Sequence, residues 1–174
     1  MPDRDLIHEL LEPLRTALQM ETEGRQLFLE AARRASGRHA RQTFEFLAAE
    51  EERHIERIRE FYASIEDKGS AAAAEIPPSD PGKRLLEFND QLANLRDEIK
   101  PTLSDIEAFR FAIRFENGAE EFYRKQIETT PSDKARDFYR WLVGEEEIHA
   151  QVLGSCLEFA EDPAAWFRRH GRSK

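Results

Sequence analysis

The sequence predicts an all-α protein, a four-helix bundle made of two helical hairpins joined by a long crossover, in a single domain over residues 1–174. Three observations predict it. Charged residues make up 35% of the chain, glutamate is the commonest of them, and glycine and proline number only 8 each, a balance that favours long helices over strands. Apolar residues recur at steps of three and four along four long segments. A shift of 95 residues lays the first pair of segments on the second without a gap.

The first helix carries the stripe Leu14, Ala17, Leu18, Gly24, Phe28 and Ala31, with Glu21 set inside it. Pro13 fits either its first turn or a kink after a preceding segment. Gly37 offers a stop, and Ala40, Phe44, Leu47, Ile58 and Phe61 mark a second stripe that holds Glu51 and His54. These two helices form a hairpin over about 14–66. The crossover, about 67–103, opens with the Gly-, Ser- and Pro-bearing run "DKGSAAAAEIPPSDPGK". It continues as a short amphipathic helix in "KRLLEFNDQLANLRDEIK", which Pro101 ends. The second hairpin covers about 104–160. "SDIE" predicts a capping box with Ser104 as N-cap and Glu107 three residues on, opening a helix striped by Phe109, Ala112, Ile113, Ala119 and Tyr123 around Glu116. Thr130 and Pro131 read as the N-cap and first turn of the fourth helix. Its stripe is Ala135, Phe138, Leu142, Val152, Leu153 and Cys156, interrupted by Glu146 and His149. "DPAAWFRRHGRSK" makes a short terminal helix or tail.

Composition also excludes function classes. A formal net charge of -9 argues against a nucleic-acid partner, which needs a basic stripe, and points to cations as ligands. One cysteine, Cys156, excludes a disulfide framework and a four-cysteine metal site within the chain, and it reads as a buried small hydrophobe. No apolar run reaches the roughly 20 residues that cross a bilayer, and "MPDRDLIHELLEPL" lacks a signal-peptide pattern. A soluble cytoplasmic protein with no membrane partner is expected.

The 95-residue register pairs Ala17 with Ala112, Glu21 with Glu116, Phe28 with Tyr123, Phe46 with Trp141, Glu51 with Glu146 and His54 with His149. The lone glutamate and the histidine-paired one are 30 residues apart in both halves. Such self-similarity marks two copies of a hairpin that buries its apolar face only by packing on its twin. Residues three apart on a helix lie about 60° and about 4.5 Å apart, so Glu51 with His54, and Glu146 with His149, can each offer an oxygen and a nitrogen to one ion. Four ionised carboxylates in a bundle core carry a severe desolvation and repulsion cost that two divalent cations remove. One imidazole per metal in an oxygen-rich set favours iron or manganese over zinc or copper. Glu51 and Glu146 are the natural bridging ligands, and Glu21 and Glu116 are terminal or bridging.

Glutamate fills about one position in seven, so one Glu-x-x-His carries little weight. Two copies in one register, each with its upstream glutamate, carry much more. The flanking Glu50, Glu52, Glu145 and Glu147 point about 100° away and read as solvated or supporting residues. Tyr123, two turns after Glu116, either packs in the core or hydrogen-bonds a metal-bound carboxylate, a role Phe28 cannot share. Tyr139 and Trp141 read as packing residues, and His8, His39 and His170, which lack matching partners, as surface residues.

The segments "ALQMETEGRQLF" with "AAEEERH", and "AIRFENGAEEFY" with "VGEEEIH", resemble the rubrerythrins of the ferritin-like superfamily over roughly Leu14 to Ala160. The resemblance implies a ferritin-like bundle in which Glu21, Glu51, His54, Glu116, Glu146 and His149 hold two iron ions (Fe2+/Fe3+), with manganese the alternative. It implies reduction of peroxide, or of oxygen, in oxidative-stress defence, with Tyr123 as a candidate catalytic residue. The alternative activity is ferritin-like iron oxidation, storage or transport. A homodimer or larger homo-oligomer is expected. Rubrerythrins proper carry a four-cysteine rubredoxin domain, which the single cysteine of this sequence cannot supply, so an external electron-donor protein such as a rubredoxin-like reductant is implied. The family's extra glutamate, three residues after the third-helix ligand, is replaced by Ala119, with Glu120 next to it as a candidate substitute ligand.

Overall fold

A computed structural model describes residues 4–68, 71, 75–76, 78, 83–84, 87–88 and 102–170. Among these the ordered elements are helices α1 (Arg4–Arg34), α2 (Arg38–Lys68), α3 (Leu103–Thr129), α4 (Asp133–Glu161) and α5 (Pro163–His170), with no strand. The protein is all-α, as a ferritin-like bundle requires. α1 packs chiefly along α2 and α3 along α4, while α2 meets α4 and α1 meets α3 across the seam between the hairpins. Residues 83–84 and 87–88 are helical, and the rest of the short crossover helix expected at 83–100 lies outside the described residues.

Pro13 lies within α1, which begins at Arg4, ahead of the first stripe residue Leu14. The missing N–H removes one bond of the ladder but does not divide the helix. Both predicted N-caps move by two residues. Thr102, not Ser104, caps α3: its extended backbone turns the side chain to accept from the Asp105 N–H at 3.2 Å. Ser132, not Thr130, caps α4 by accepting from the Ala135 N–H at 3.3 Å, and Thr130 instead closes α3 through its N–H to the Gln126 carbonyl at 2.9 Å. Each such cap is worth about 1 kcal/mol.

The apolar stripes form two clusters rather than one. The first gathers Phe28, Phe44, Phe109, Val152, Phe159 and Trp166, and the second Leu14, Ile58, Phe61, Tyr123, Phe138 and Leu142. α5 closes the end of the first cluster, with the Trp166 Nε1–H donating to Ser155 Oγ at 2.9 Å. Along every long helix, the stretch that passes from one cluster to the other carries the polar residues: Glu21, then Glu51 and His54, then Glu116, then Glu146 and His149. The bundle therefore holds a charged layer between two apolar plugs.

Two tertiary links escape the periodic pattern. Asp105, only 2% exposed, accepts the N–H groups of Ser36 at 3.0 Å and Gly37 at 3.1 Å, tying the first hairpin's turn to the start of α3. His39 corrects an expectation, because it is buried rather than at the surface. Its ring packs on Phe109 and Phe159 at centroid distances of 5.8 and 5.3 Å. It sits at the second position of α2, where the helix entry is covered by the opposite hairpin. His8 and His170 are exposed, as expected.

Candidate metal centre

The polar layer brings together all six residues singled out by the repeat, and each is at most 2% exposed. Two histidines organise it. His54 Nδ1 lies 3.0 Å from Glu21 Oε2, 3.6 Å from Glu51 Oε2 and 3.7 Å from Glu146 Oε1. His149 Nδ1 lies 3.0 Å from Glu116 Oε1, 3.3 Å from Glu51 Oε1 and 3.5 Å from Glu146 Oε2. The two rings stack at 5.0 Å with planes 15° apart. Glu51 and Glu146 each turn one oxygen toward each histidine, whereas Glu21 and Glu116 each pair with only one. Ligand atoms within 4.8 Å of one another define two principal sets, Glu21–His54–Glu146 and Glu51–Glu116–Glu146–His149.

Electrostatics show how poorly this arrangement suits protein atoms alone. Burial, reinforced by Glu21, pushes the Glu51 carboxyl up to about 8. Burial likewise pushes Glu146 well above the carboxylate range, with Glu21 and Glu116 adding to it. Glu116 is raised by the same loss of water. Burial opposes charging the imidazoles, yet Glu145, Glu21 and Glu51 raise His54 well above the ordinary value, and Glu116, Glu146 and Glu51 do so for His149. Glu21 goes the other way: burial works to raise it, but hydrogen bonds from Glu51, His54 and Tyr123 hold it low. Glu51 Oε1 and both oxygens of Glu146 have no hydrogen-bond partner despite full burial. Orphaned acceptors with two imidazole nitrogens aimed at the same space are what a pair of oxygen-preferring divalent cations would satisfy. The cluster is thus capable of binding metal.

The surrounding residues divide into several kinds. The Tyr123 hydroxyl donates to Glu21 Oε1 across the bundle, and burial raises its pKa well above the phenol range, so it stays protonated. Trp141 meets the His54 ring edge-on at 5.8 Å, and Tyr139 packs on Tyr123 at 6.2 Å. Gly24 gives clearance beside Glu51: a Cβ there would stand 2.9 Å from the Phe115 ring and 3.5 Å from the Glu51 carboxyl carbon. Ala119 is buried among apolar neighbours, and Glu120 stands outside the cluster, paired with Arg124 at 2.6 Å. Cys156 is fully buried, touches Thr43 Oγ1 at 3.3 Å, and has its thiol pushed up to about 12 by burial.

Of the flanking glutamates, Glu52 is half-buried and paired with Arg25, and Glu147 is exposed and paired with Arg124. Glu50 and Glu145 are buried, and both bind Arg84 of the crossover. Sequence reasoning missed Arg84 because nothing in the repeat corresponds to it.

No helix among the described residues is long and apolar enough to cross a membrane. No curated protein and no solved structure matches the chain. The family model described as Rubrerythrin matches residues 12–157, a span that contains all six clustered residues and most of both hairpins. With an all-helical fold and a buried carboxylate–histidine cluster at the repeated positions, the chain belongs to the rubrerythrin family of ferritin-like di-iron proteins.

Proposed function

We propose that this protein is a di-iron carboxylate oxidoreductase that reduces hydrogen peroxide, or oxygen in its place. The observation that carries the reading is the way Glu51 and Glu146 each face both histidines while Glu21 and Glu116 face one each. Such an arrangement suits two bridging carboxylates and two terminal ones around a pair of cations. Two ferrous ions held there would supply the two electrons in H2O2 + 2e⁻ + 2H⁺ → 2H2O. Oxygen-rich donor sets with one imidazole each favour iron, with manganese the alternative.

The chain's own residues provide the setting. Glu51 and Glu146 would serve both cations, and Glu21 and Glu116 would each serve one. The Phe28–Phe44–Phe109 cluster on one side and the Phe61–Phe138–Leu142 cluster on the other keep bulk water out of the layer. Tyr123 holds a proton on Oη and restrains Glu21, orienting one terminal carboxylate. Cys156 is buried and is the chain's single cysteine, which favours delivery of electrons by a separate rubredoxin-like protein. A homodimer in a cytoplasmic setting completes the proposal.

Stopped-flow mixing of anaerobically reduced, iron-loaded protein with peroxide tests it. Oxidation should be much faster than in a Glu51→Ala, Glu146→Ala variant, and equal rates would overturn the reading. Metal analysis of protein from iron-replete cells separates iron from manganese. Size-exclusion chromatography should give a small oligomer, whereas a large cage would favour iron storage.

A further inference from the structure

Arg84 and Phe88 lie four residues apart in the helical part of the crossover, and both reach the bundle. Phe88 packs on Phe46 of α2 at 5.7 Å. Arg84, with its side chain 19% exposed, forks across the seam: Nη1 donates to Glu50 Oε2 on α2, and Nη2 donates to Glu145 Oε2 on α4 at 2.7 Å. A planar guanidinium suits such two-carboxylate contacts, where an ammonium would satisfy one.

These carboxylates stand behind the metal cluster. Glu145 Oε2 is 3.5 Å from His54 Nε2, the ring nitrogen that faces away from Glu21, Glu51 and Glu146. The repeat pairs Glu145 with Glu50 and His54 with His149, so an exact twofold would put Glu50 behind His149 Nε2. It does not. Neither outer ring nitrogen makes a hydrogen bond, but among the described residues only His54 Nε2 has a carboxylate beside it, whereas Glu50 is held by Arg84 and by Arg53 at 2.6 Å. Arg84 lies between the repeats and has no counterpart in either.

We propose that Arg84 is a positioning residue that makes the two cation positions unequal. Its guanidinium holds Glu145 behind His54 and keeps Glu50 from His149, so the position facing Glu21 and His54 binds a divalent cation more tightly than the one facing Glu116 and His149. A carboxylate behind the outer nitrogen of a ligating imidazole fixes the ring and strengthens the donor, and removing such a partner typically costs 10–100-fold in metal affinity. Only His54 has a carboxylate at that side, Glu145 at 3.5 Å, close enough to tighten onto Nε2 once Nδ1 ligates an ion. The inference rests on the cluster being a two-cation site.

Anaerobic titration of metal-free protein with Co(II), followed by visible absorption and calorimetry, tests it. The parent should show two steps, with Glu21→Gln removing the tighter and Glu116→Gln the weaker. Failure of the parent to take two ions would overturn the two-cation reading itself. Arg84→Met should weaken the tighter step about 10- to 100-fold and leave the weaker one in place, with unchanged helical circular dichroism. An unchanged tighter step, or equal weakening of both, would overturn the role of Arg84 while leaving the two-cation site standing. Should Arg84→Met fail to fold, Arg84→Lys and Glu145→Gln decide: loss confined to the tighter step in both is expected, and any other result overturns the proposal.

Discussion

The phenol of Tyr123 on α3 hydrogen-bonds the carboxylate of Glu21 on α1, a partner 102 positions earlier in the chain. The residue the repeat places opposite Tyr123 is Phe28, fully buried against Phe44 at 6.3 Å and without a hydroxyl to offer Glu116. Replacing Tyr123 with Phe leaves a buried oxygen of Glu21 without its donor. A loss of about 1–3 kcal/mol in urea unfolding of the metal-free protein is expected. An unchanged midpoint would mean that the bond contributes nothing to folding.

Three of the cluster's four carboxylates, Glu51, Glu116 and Glu146, act against folding in their charged form when no cation is present. The Glu51 carboxyl, ordinarily near 4.5, is raised to about 8 in the fold, so its contribution is fully present below 4.5 and is lost as pH rises through about 8. Each unit of such a shift is worth about 1.4 kcal/mol. Metal-free Glu51→Gln should therefore outlast the metal-free parent in urea at pH 8.5, with the gap narrowing at pH 5, although it binds Co(II) more weakly. A variant less stable than the parent at both pH values would contradict this.

Loading must displace protons. Glu51, raised to about 8, favours its protonated form at pH 7, and the upward shifts of Glu146, His54 and His149 act in the same direction. Binding of divalent cations in weakly buffered solution should release protons, and affinity should climb with pH. Loading without acidification of the medium would show that the metal-free cluster is already deprotonated.

His39 supplies a pH response unrelated to metal. Burial lowers its pKa from 6.5, against a smaller opposing pull from Asp105, and neither ring nitrogen has a hydrogen-bond partner. A depressed imidazole contributes stability above pH 6.5 that is lost as the pH falls through its folded value. The slope is at most about 1.4 kcal/mol per pH unit. Unfolding midpoints of His39→Leu should therefore fall less steeply between pH 7.5 and 5 than those of the parent. Parallel curves would show that His39 is not the cause.

The repeat made the bundle and its cluster legible, because metal-ligand spacing and core spacing share one helical period: Glu21 and Phe28, or Glu51 and Ile58, lie two turns apart on the same face. Other features were hidden for definite reasons. The burial of Glu50 and Glu145 depends on Arg84, whose segment belongs to neither repeat. His39 was misplaced because the rings that cover it, Phe109 and Phe159, come from the other hairpin. Helix starts shifted by two residues because several Ser and Thr side chains near each start could serve as caps, and only backbone geometry selects Thr102 and Ser132.

Each set of ligand atoms draws from both halves of the chain: Glu146 joins Glu21 and His54, and Glu51 joins Glu116 and His149. Any ion bound there is a latch across the seam as well as a reactive centre. Chelation should therefore loosen the grip of one hairpin on the other before either unravels, so that metal scarcity is felt first as a slackening between the two halves.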